Sequence, residues 1–357
     1  MKKQGQLMSR SSKIDSTVQQ YFFERKRRFT DTIRRLRRND PELVHVDFKG
    51  MALNDYLVHQ LCAAIRNNTA LKSIDLSFNF ISSACAQALA SCNCKNLTKL
   101  DISHNEIQTM GAVELMRTRQ FKSLNISYNK IVSDDHTAEL AHLLEQDVTL
   151  EILVLTNNTI DETLLRALAQ NTHLKVLDTS YAYLDDNGAH ILAQNKTLKS
   201  LTLNHNGITT NGARAFFSNS ALTHLGLSNN RIDNGILDVI EINSTLISLH
   251  IKDNTINKRV MRRIKDKMLN NAWAFSEDIQ RLYAFSSVIS NSRKKVDQDV
   301  FRMICDLYLP ETPQKERIRE KVLDDAIGRY KRFLDAKATA SDETLVSLSD
   351  ASSKKSR

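Results

Sequence analysis

LKSIDLSFNFI, residues Leu71–Ile81, decides how this chain is read, because its pattern returns eight more times. It recurs as LTKLDISHNEI (97–107), FKSLNISYNKI (121–131), LEILVLTNNTI (150–160) and LKVLDTSYAYL (174–184). LKSLTLNHNGI (198–208), LTHLGLSNNRI (222–232) and LISLHIKDNTI (246–256) follow, and a degenerate first copy, LVHVDFKGMAL, stands at Leu43–Leu53. Successive copies start 28, 26, 24, 29, 24, 24, 24 and 24 residues apart. In the second copy the frame Leu71, Ile74, Leu76 and Ile81 points inward as a short strand and bend should. Ser73, Asp75, Ser77 and Phe78 are then expected on or near the open side. Units of this length bury their apolar faces only by stacking on one another.

The pattern resembles the leucine-rich repeat, LxxLxLxxNxL. The fold expected is α/β: a solenoid horseshoe with parallel strands on the concave face and helices on the convex face. Nine strands about 4.8 Å apart give a concave face about 40 Å along its arc, the scale of a protein partner. Gly111-Ala112, Gly188-Ala189 and Gly212-Ala213 place small residues where the outer helices begin. This feature and the 24-residue period resemble the ribonuclease-inhibitor-like class and, more narrowly, the GALA-type repeats of bacterial effectors. Residues 1–42 lack the F-box that precedes the repeats in GALA proteins. The polar tail from about residue 338, with TASDETLVSLSDASSKKSR at 339–357, resembles the C-terminal signals of type IV-secreted effectors such as those of Legionella. Together these resemblances imply a bacterial cytoplasmic protein translocated into a host cytosol.

The asparagine of each bend can bond to backbone groups, so a ladder is expected through Asn79, Asn105, Asn129, Asn158, Asn206, Asn230 and Asn254. It is interrupted at Met51 and Ala182, and the second interruption predicts a looser turn with a backbone group in need of another partner. The residue before the ladder position runs Gly50, Phe78, His104, Tyr128, Asn157, Tyr181, His205, Asn229, Asp253. Five of these nine are aromatic or imidazole in a chain with 6% aromatic residues, so this line is the expected protein-binding stripe. Phe80 and Tyr183 extend it. Beside it lies an acidic row of Asp75, Asp101 and Asp178 with Asp47, completed by Asn125 and His250 and screened by Lys49 and Lys99.

Residues 1–42 carry 12 basic and 5 acidic side chains, residues 43–256 carry 16 and 21, and residues 257–357 carry 22 and 15. The mildly acidic repeats thus lie between basic ends. Residues 16–38 read as one amphipathic helix with Val18, Phe22, Phe29, Ile33 and Leu36 on its stripe, ending before Asp40-Pro41 and capping the array. Its cations, Arg25 to Arg38, offer at most a weak anionic contact, and no ring stands among them for base stacking, so no nucleic acid is expected. After Ile256 a basic helix is expected to continue the array, followed by helical patterns at 276–290 and 296–309 and a long helix after Pro313. The domains expected are thus a cap (1–42), nine repeats (43–256), a helical module (257–337) and a disordered tail (338–357).

The first thirty residues lack a signal-peptide core and no apolar run reaches membrane-span length. Five cysteines, Cys62, Cys85, Cys92, Cys94 and Cys305, form no disulfide framework and fit a reducing compartment. Cys85, Cys92 and Cys94 lack partners at zinc-site spacing, so no metal is expected. No phosphate loop is present, and Cys305 on the apolar FRMICDLYLP helix reads as core rather than nucleophile. The chain therefore reads as a monomeric, non-catalytic protein binder without a cofactor, binding or inhibiting its partner through the concave face. The alternative is an adaptor that recruits a ubiquitin ligase or other machinery through residues 257–337.

Overall fold

A computed structural model describes Gln20 and residues 23–287, with side chains to residue 272. The chain divides into two compact units, residues 1–290 and 291–357. Cys305, the patterns beyond residue 287 and the tail lie outside the described residues, as do Val18 and Phe22.

Nine three-residue strands form one parallel sheet in strict chain order. They are β1 (His45–Asp47), β2 (Ser73–Asp75), β3 (Lys99–Asp101), β4 (Ser123–Asn125), β5 (Ile152–Val154), β6 (Val176–Asp178), β7 (Ser200–Thr202), β8 (His224–Gly226) and β9 (Ser248–His250). Each pairs with the next in register, so equivalent repeat positions line up as columns across the sheet. A helix, α1 (residues 23–37), precedes the first strand. The return segments carry α2 (Asp55–Ile65), α3 (Ser83–Ala90), α4 (Gln108–Arg117), α5 (Thr137–Gln146), α6 (Glu162–Gln170), α7 (Asp186–Leu192), α8 (Thr210–Arg214) and α9 (Leu237–Ile242). Several start on a polar cap: Asn54, Asp161 and Asp185 accept the N–H groups of Leu57, Leu164 and Gly188. Between strands and helices runs one continuous apolar core, in which Ile74, Leu100, Leu124, Leu153, Leu177, Leu201 and Leu225 are buried.

The Gly-Ala pairs follow from how closely consecutive coils pack. A Cβ on Gly212 would stand 2.7 Å from the Asp186 Cα, and one on Gly111 would stand 3.1 Å from the Ala86 Cβ and 3.3 Å from the Ser83 Cα of the coil before. Asp186 is held there because it accepts from the Thr209 N–H at 2.7 Å and the Thr209 hydroxyl at 2.6 Å.

Each bend asparagine serves two coils. Asn105 Nδ2 donates to its own Ile102 carbonyl at 2.9 Å and to Leu76 of the preceding coil at 3.0 Å. Its Oδ1 accepts the preceding Ile81 N–H at 3.0 Å. Asn79, Asn129, Asn158, Asn206, Asn230 and Asn254 also bond across to the coil before. At Ala182 the missing amide still leaves the local N–H groups partnered, because Asn206 Oδ1 takes both the Ala182 and Leu184 N–H groups, at 3.1 and 3.0 Å. The backbone of this bend differs from the coils on either side: Tyr183 has a φ of 60°, whereas Thr159 and Gly207 at the same place are not in the left-handed region. What the step lacks is an amide reaching back to the Ile160 N–H and the Leu155 carbonyl. Ala182→Asn is expected to raise stability by about 1 kcal/mol, measured by urea unfolding, and a loss of stability would show that the bend cannot admit the amide.

A second polar column, which the repeat pattern alone does not announce, stands just before the strands. Asn171, Asn195, Asn219 and Asn243 each accept two backbone N–H groups of their own coil. Each also donates to a carbonyl of the previous coil, Asn171 for instance to Leu144 at 2.7 Å and Asp147 at 3.0 Å. Its signal in the sequence is N-x-x-L at the 24-residue period.

Helices close both ends of the core. In α1 Phe29, Ile33 and Leu36 are buried, and the Phe29 ring lies 5.2 Å from that of Phe48. The Leu36 carbonyl accepts from Asn68 Nδ2 at 3.1 Å, so the second column begins on this helix. At the other end, α10 (Lys258–Ser287) buries Val260, Ile264 and Met268. Its Asn271 continues the column by donating to the Asn243 and Leu246 carbonyls at 3.1 and 2.8 Å. A break before residue 276 does not occur: α10 runs unbroken for 30 residues, with no glycine or proline in it.

Candidate protein-binding surface

The line expected to bind lies at the edge of the concave face, where each strand turns into its bend. All nine of its residues are in the left-handed region, with φ of 60° at Gly50 and between 53° and 57° from Phe78 to Asp253. Glycine, asparagine and aspartate, which hold four of the nine places, adopt this conformation at least cost. Phe78, Tyr128 and Tyr181 adopt it against the steric preference of a bulky side chain, at roughly 1 kcal/mol each, and His104 and His205 at lower cost.

The register brings these rings together in two stacks. The Phe78 and His104 centroids are 3.9 Å apart and inclined by 13°, and His104 and Tyr128 are 4.0 Å apart and inclined by 12°. Tyr181 and His205 form the second stack at 4.0 Å and 11°. The Lys49 ammonium stands 5.0 Å from the Phe78 centroid and closes the first stack at its N-terminal end. Stacking hides the inner faces and presents ring edges, leaving Phe78 49% and Tyr181 40% exposed. Phe80 and Tyr183, two positions on, are 69% and 84% exposed. Burial in the stack pushes the His104 imidazole down, which favours the neutral ring between its neighbours.

Asp47, Asp75 and Asp101 face one another across β1, β2 and β3, and Asp178 occupies the same column on β6. Each uses Oδ1 to hold the N–H two residues on: Lys49, Ser77, Ser103 and Ser180, at 2.8 to 3.0 Å. The aspartates therefore shape the bend as well as charging the face. Burial pushes Asp75 up, and the Asp101 and Asp47 carboxylates on either side add to the shift. Asn125 Nδ2 donates to Asp101 Oδ2 at 2.9 Å, and Arg28 meets Asp47 Oδ2 at 3.2 Å. The expected exposure of Ser77 is corrected: Ser77, Ser103, Ser127 and Ser180 are buried beneath the bend. Further along, His224 on β8 and His250 on β9 are close enough that burial, reinforced by His250, pushes His224 down.

The basic helix α1 spends much of its charge internally. Arg27 and Arg34 pair with Asp31, Arg35 with Asp40 and Arg28 with Asp47, and Arg25 donates to the Gly50 carbonyl. Cys62, Cys85, Cys92 and Cys94 are free and buried on the convex side. Burial and Asp55 push the Cys85 thiol up to about 12, and burial pushes Cys94 up to about 11, so neither is an activated nucleophile. Among the described residues no group of three or more His, Cys, Asp or Glu is placed to hold a metal ion. Nor is any helix among them long and apolar enough to cross a membrane.

Residues 69–131 match a family model described as Leucine rich repeat, and residues 194–217 match another with the same description. A search of curated proteins finds no match. Similar solved structures include leiomodin-1 actin-binding site 2, at 22% identity over 40% of this chain and 88% of that one, with a TM-score of 0.36. The tropomodulin C-terminal domain of Caenorhabditis elegans is 17% identical over 40% of this chain and 92% of that one, with a TM-score of 0.36. The TLR13–ssRNA13 complex is 19% identical over 60% of this chain and 33% of that one, with a TM-score of 0.40. The nine-stranded open sheet and the family matches make this a leucine-rich-repeat protein. Domains of that class mediate protein–protein binding, and no catalytic family is indicated.

Proposed function

We propose that the chain is a non-catalytic binder that holds a protein across its concave face, anchored on the ring line of Phe78, His104, Tyr128, Tyr181 and His205. The observation that carries this reading is the left-handed backbone under every ring. Asn157 and Asn229 serve the same turn with less strain, so the fold alone does not call for rings there. Strain retained at an exposed, ordered line is accounted for by what the line touches. The neighbouring carboxylates of Asp75, Asp101 and Asp178 give that face a negative rim that favours a basic partner surface.

The finer reading is a bacterial effector, similar to GALA-type and Legionella-type repeat proteins, that occludes and so inhibits a host or bacterial protein. Its support is the 24-residue period with Gly-Ala pairs and the small, polar composition of residues 338–357.

The test is a pull-down from host and bacterial lysates with the full chain and with a Phe78→Asn, Tyr128→Asn, Tyr181→Asn variant. Asparagine removes the rings and keeps the left-handed turn, so circular dichroism is expected to be unchanged. A partner captured by the full chain should lose at least about 100-fold in affinity for the variant. A partner held equally by both would place binding elsewhere.

A further inference from the structure

Among the described residues each ring stack ends on a tyrosine with one face that no ring covers, and both of these faces lie on the side of repeat five. His104 covers one face of Tyr128 and His205 covers one face of Tyr181. Their other faces point along the array to repeat five, where Asn157 holds the equivalent position. The array is regular across this step. The N–H groups of Tyr128, Asn157 and Tyr181 donate to the Thr156, Ser180 and Asn204 carbonyls at 2.8, 2.9 and 3.0 Å. Their φ angles are 53°, 54° and 54°. Strands repeat about every 4.8 Å and stacked rings lean in to 3.9 to 4.0 Å, so two repeats separate the tyrosines by about 8–10 Å, the span of one planar group onto which both rings lean as the stacked pairs do. Asn157 is exposed, and among the described residues its carboxamide has no hydrogen-bond partner. Its side chain is shorter than the tyrosine rings on either side.

Building on the concave-face reading, we propose that the slot between Tyr128 and Tyr181 takes the guanidinium of an arginine presented by the protein partner. A guanidinium is planar and stacks on aromatic faces while its N–H groups remain free at the edge. The Asn157 carboxamide oxygen is placed to accept one of them. The chain already shows that its stacks attract cations, because Lys49 sits over the end face of Phe78. The carboxylate of Asp178, three residues before Tyr181, adds negative charge on the same side. An ammonium lacks the plane that fills the gap, and a neutral ring gains nothing from Asp178 or from the unpartnered amide.

The probe is the peptide acetyl-Gly-Arg-Gly-amide, titrated into the full chain and followed by NMR of the tyrosine rings. Saturable shifts confined to Tyr128 and Tyr181 are expected, with upfield movement of the arginine δ-methylene protons. Asn157→Tyr, which fills the slot with a side chain the turn already tolerates at 128 and 181, should weaken binding at least tenfold. Asn157→His serves the same purpose if the tyrosine variant misfolds. The lysine and phenylalanine peptides should bind several-fold more weakly, and equal or tighter binding of either overturns the guanidinium assignment. No shift at either tyrosine, or unchanged affinity in both Asn157 variants, overturns the slot. With the captured partner in hand the two readings separate. If Asn157→Tyr leaves its affinity intact while the triple asparagine variant lowers it, only the arginine is lost. If neither variant lowers it, the concave reading falls with it.

Discussion

Asn171→Leu is expected to lower the stability of the array by about 3–4 kcal/mol, among the largest effects of any single polar substitution in it. Asn171 is 5% exposed and makes four hydrogen bonds, two to backbone N–H groups of its own coil and two to carbonyls of the coil before. A leucine has the same branching but more bulk and removes all four bonds, leaving the Leu144 carbonyl only the long bond from the Asp147 N–H. Asn171→Asp separates the halves. It keeps the acceptor for His173 and Leu174, as Asp147 does for Thr149 and Leu150 one coil earlier, and loses the two donors. Its cost should therefore be about half that of leucine. Urea unfolding of both variants checks this: equal costs would mean that the acceptor bonds within the coil contribute little, and an aspartate variant as stable as the parent would mean the same of the donor bonds across coils.

Ile264→Asp should be as severe, about 3–5 kcal/mol, for a different reason. Ile264 is 1% exposed in α10, between Val260 and Met268, against the last coil. A repeat array must close its terminal apolar face, and here α10 does so while Asn271 completes the polar column. A buried carboxylate would detach the first turns of α10 and expose the apolar frame of the coil above β9. Hydrogen exchange should show loss of protection beginning in residues 246–271 and fading toward the N-terminal coils. The exposed Arg262→Asp, on the opposite side of the same helix, should leave exchange unchanged. Uniform loss along the array would instead show that the coils unfold as one unit.

The repeat frame was legible because its signal is local: Leu71, Ile74, Leu76, Asn79 and Ile81 lie within one coil, and their spacing is that of a strand and a bend. The ring line was legible as a column for the same reason. What was not legible depends on neighbours a full repeat away. The second polar column escaped because an asparagine before a strand reads as ordinary turn chemistry, and its partners, such as the Leu144 carbonyl for Asn171, are 27 residues distant. Ser77 was placed outward by alternation, but the bend folds over it and Asp75 fixes it there. The helical pattern beginning at 276 reads as a separate element in the sequence but is part of α10, because no glycine or proline interrupts Lys258–Ser287.

By itself the sequence determined that nine coils stack in chain order with a ring-bearing edge, because apolar period and bend chemistry recur together and admit one stacking. Only the tertiary structure decided which ring faces are spent and which are open. That outcome rests on the spacing between adjacent strands and on the left-handed turn that sends each ring over its neighbour, and neither distance is written in any one repeat.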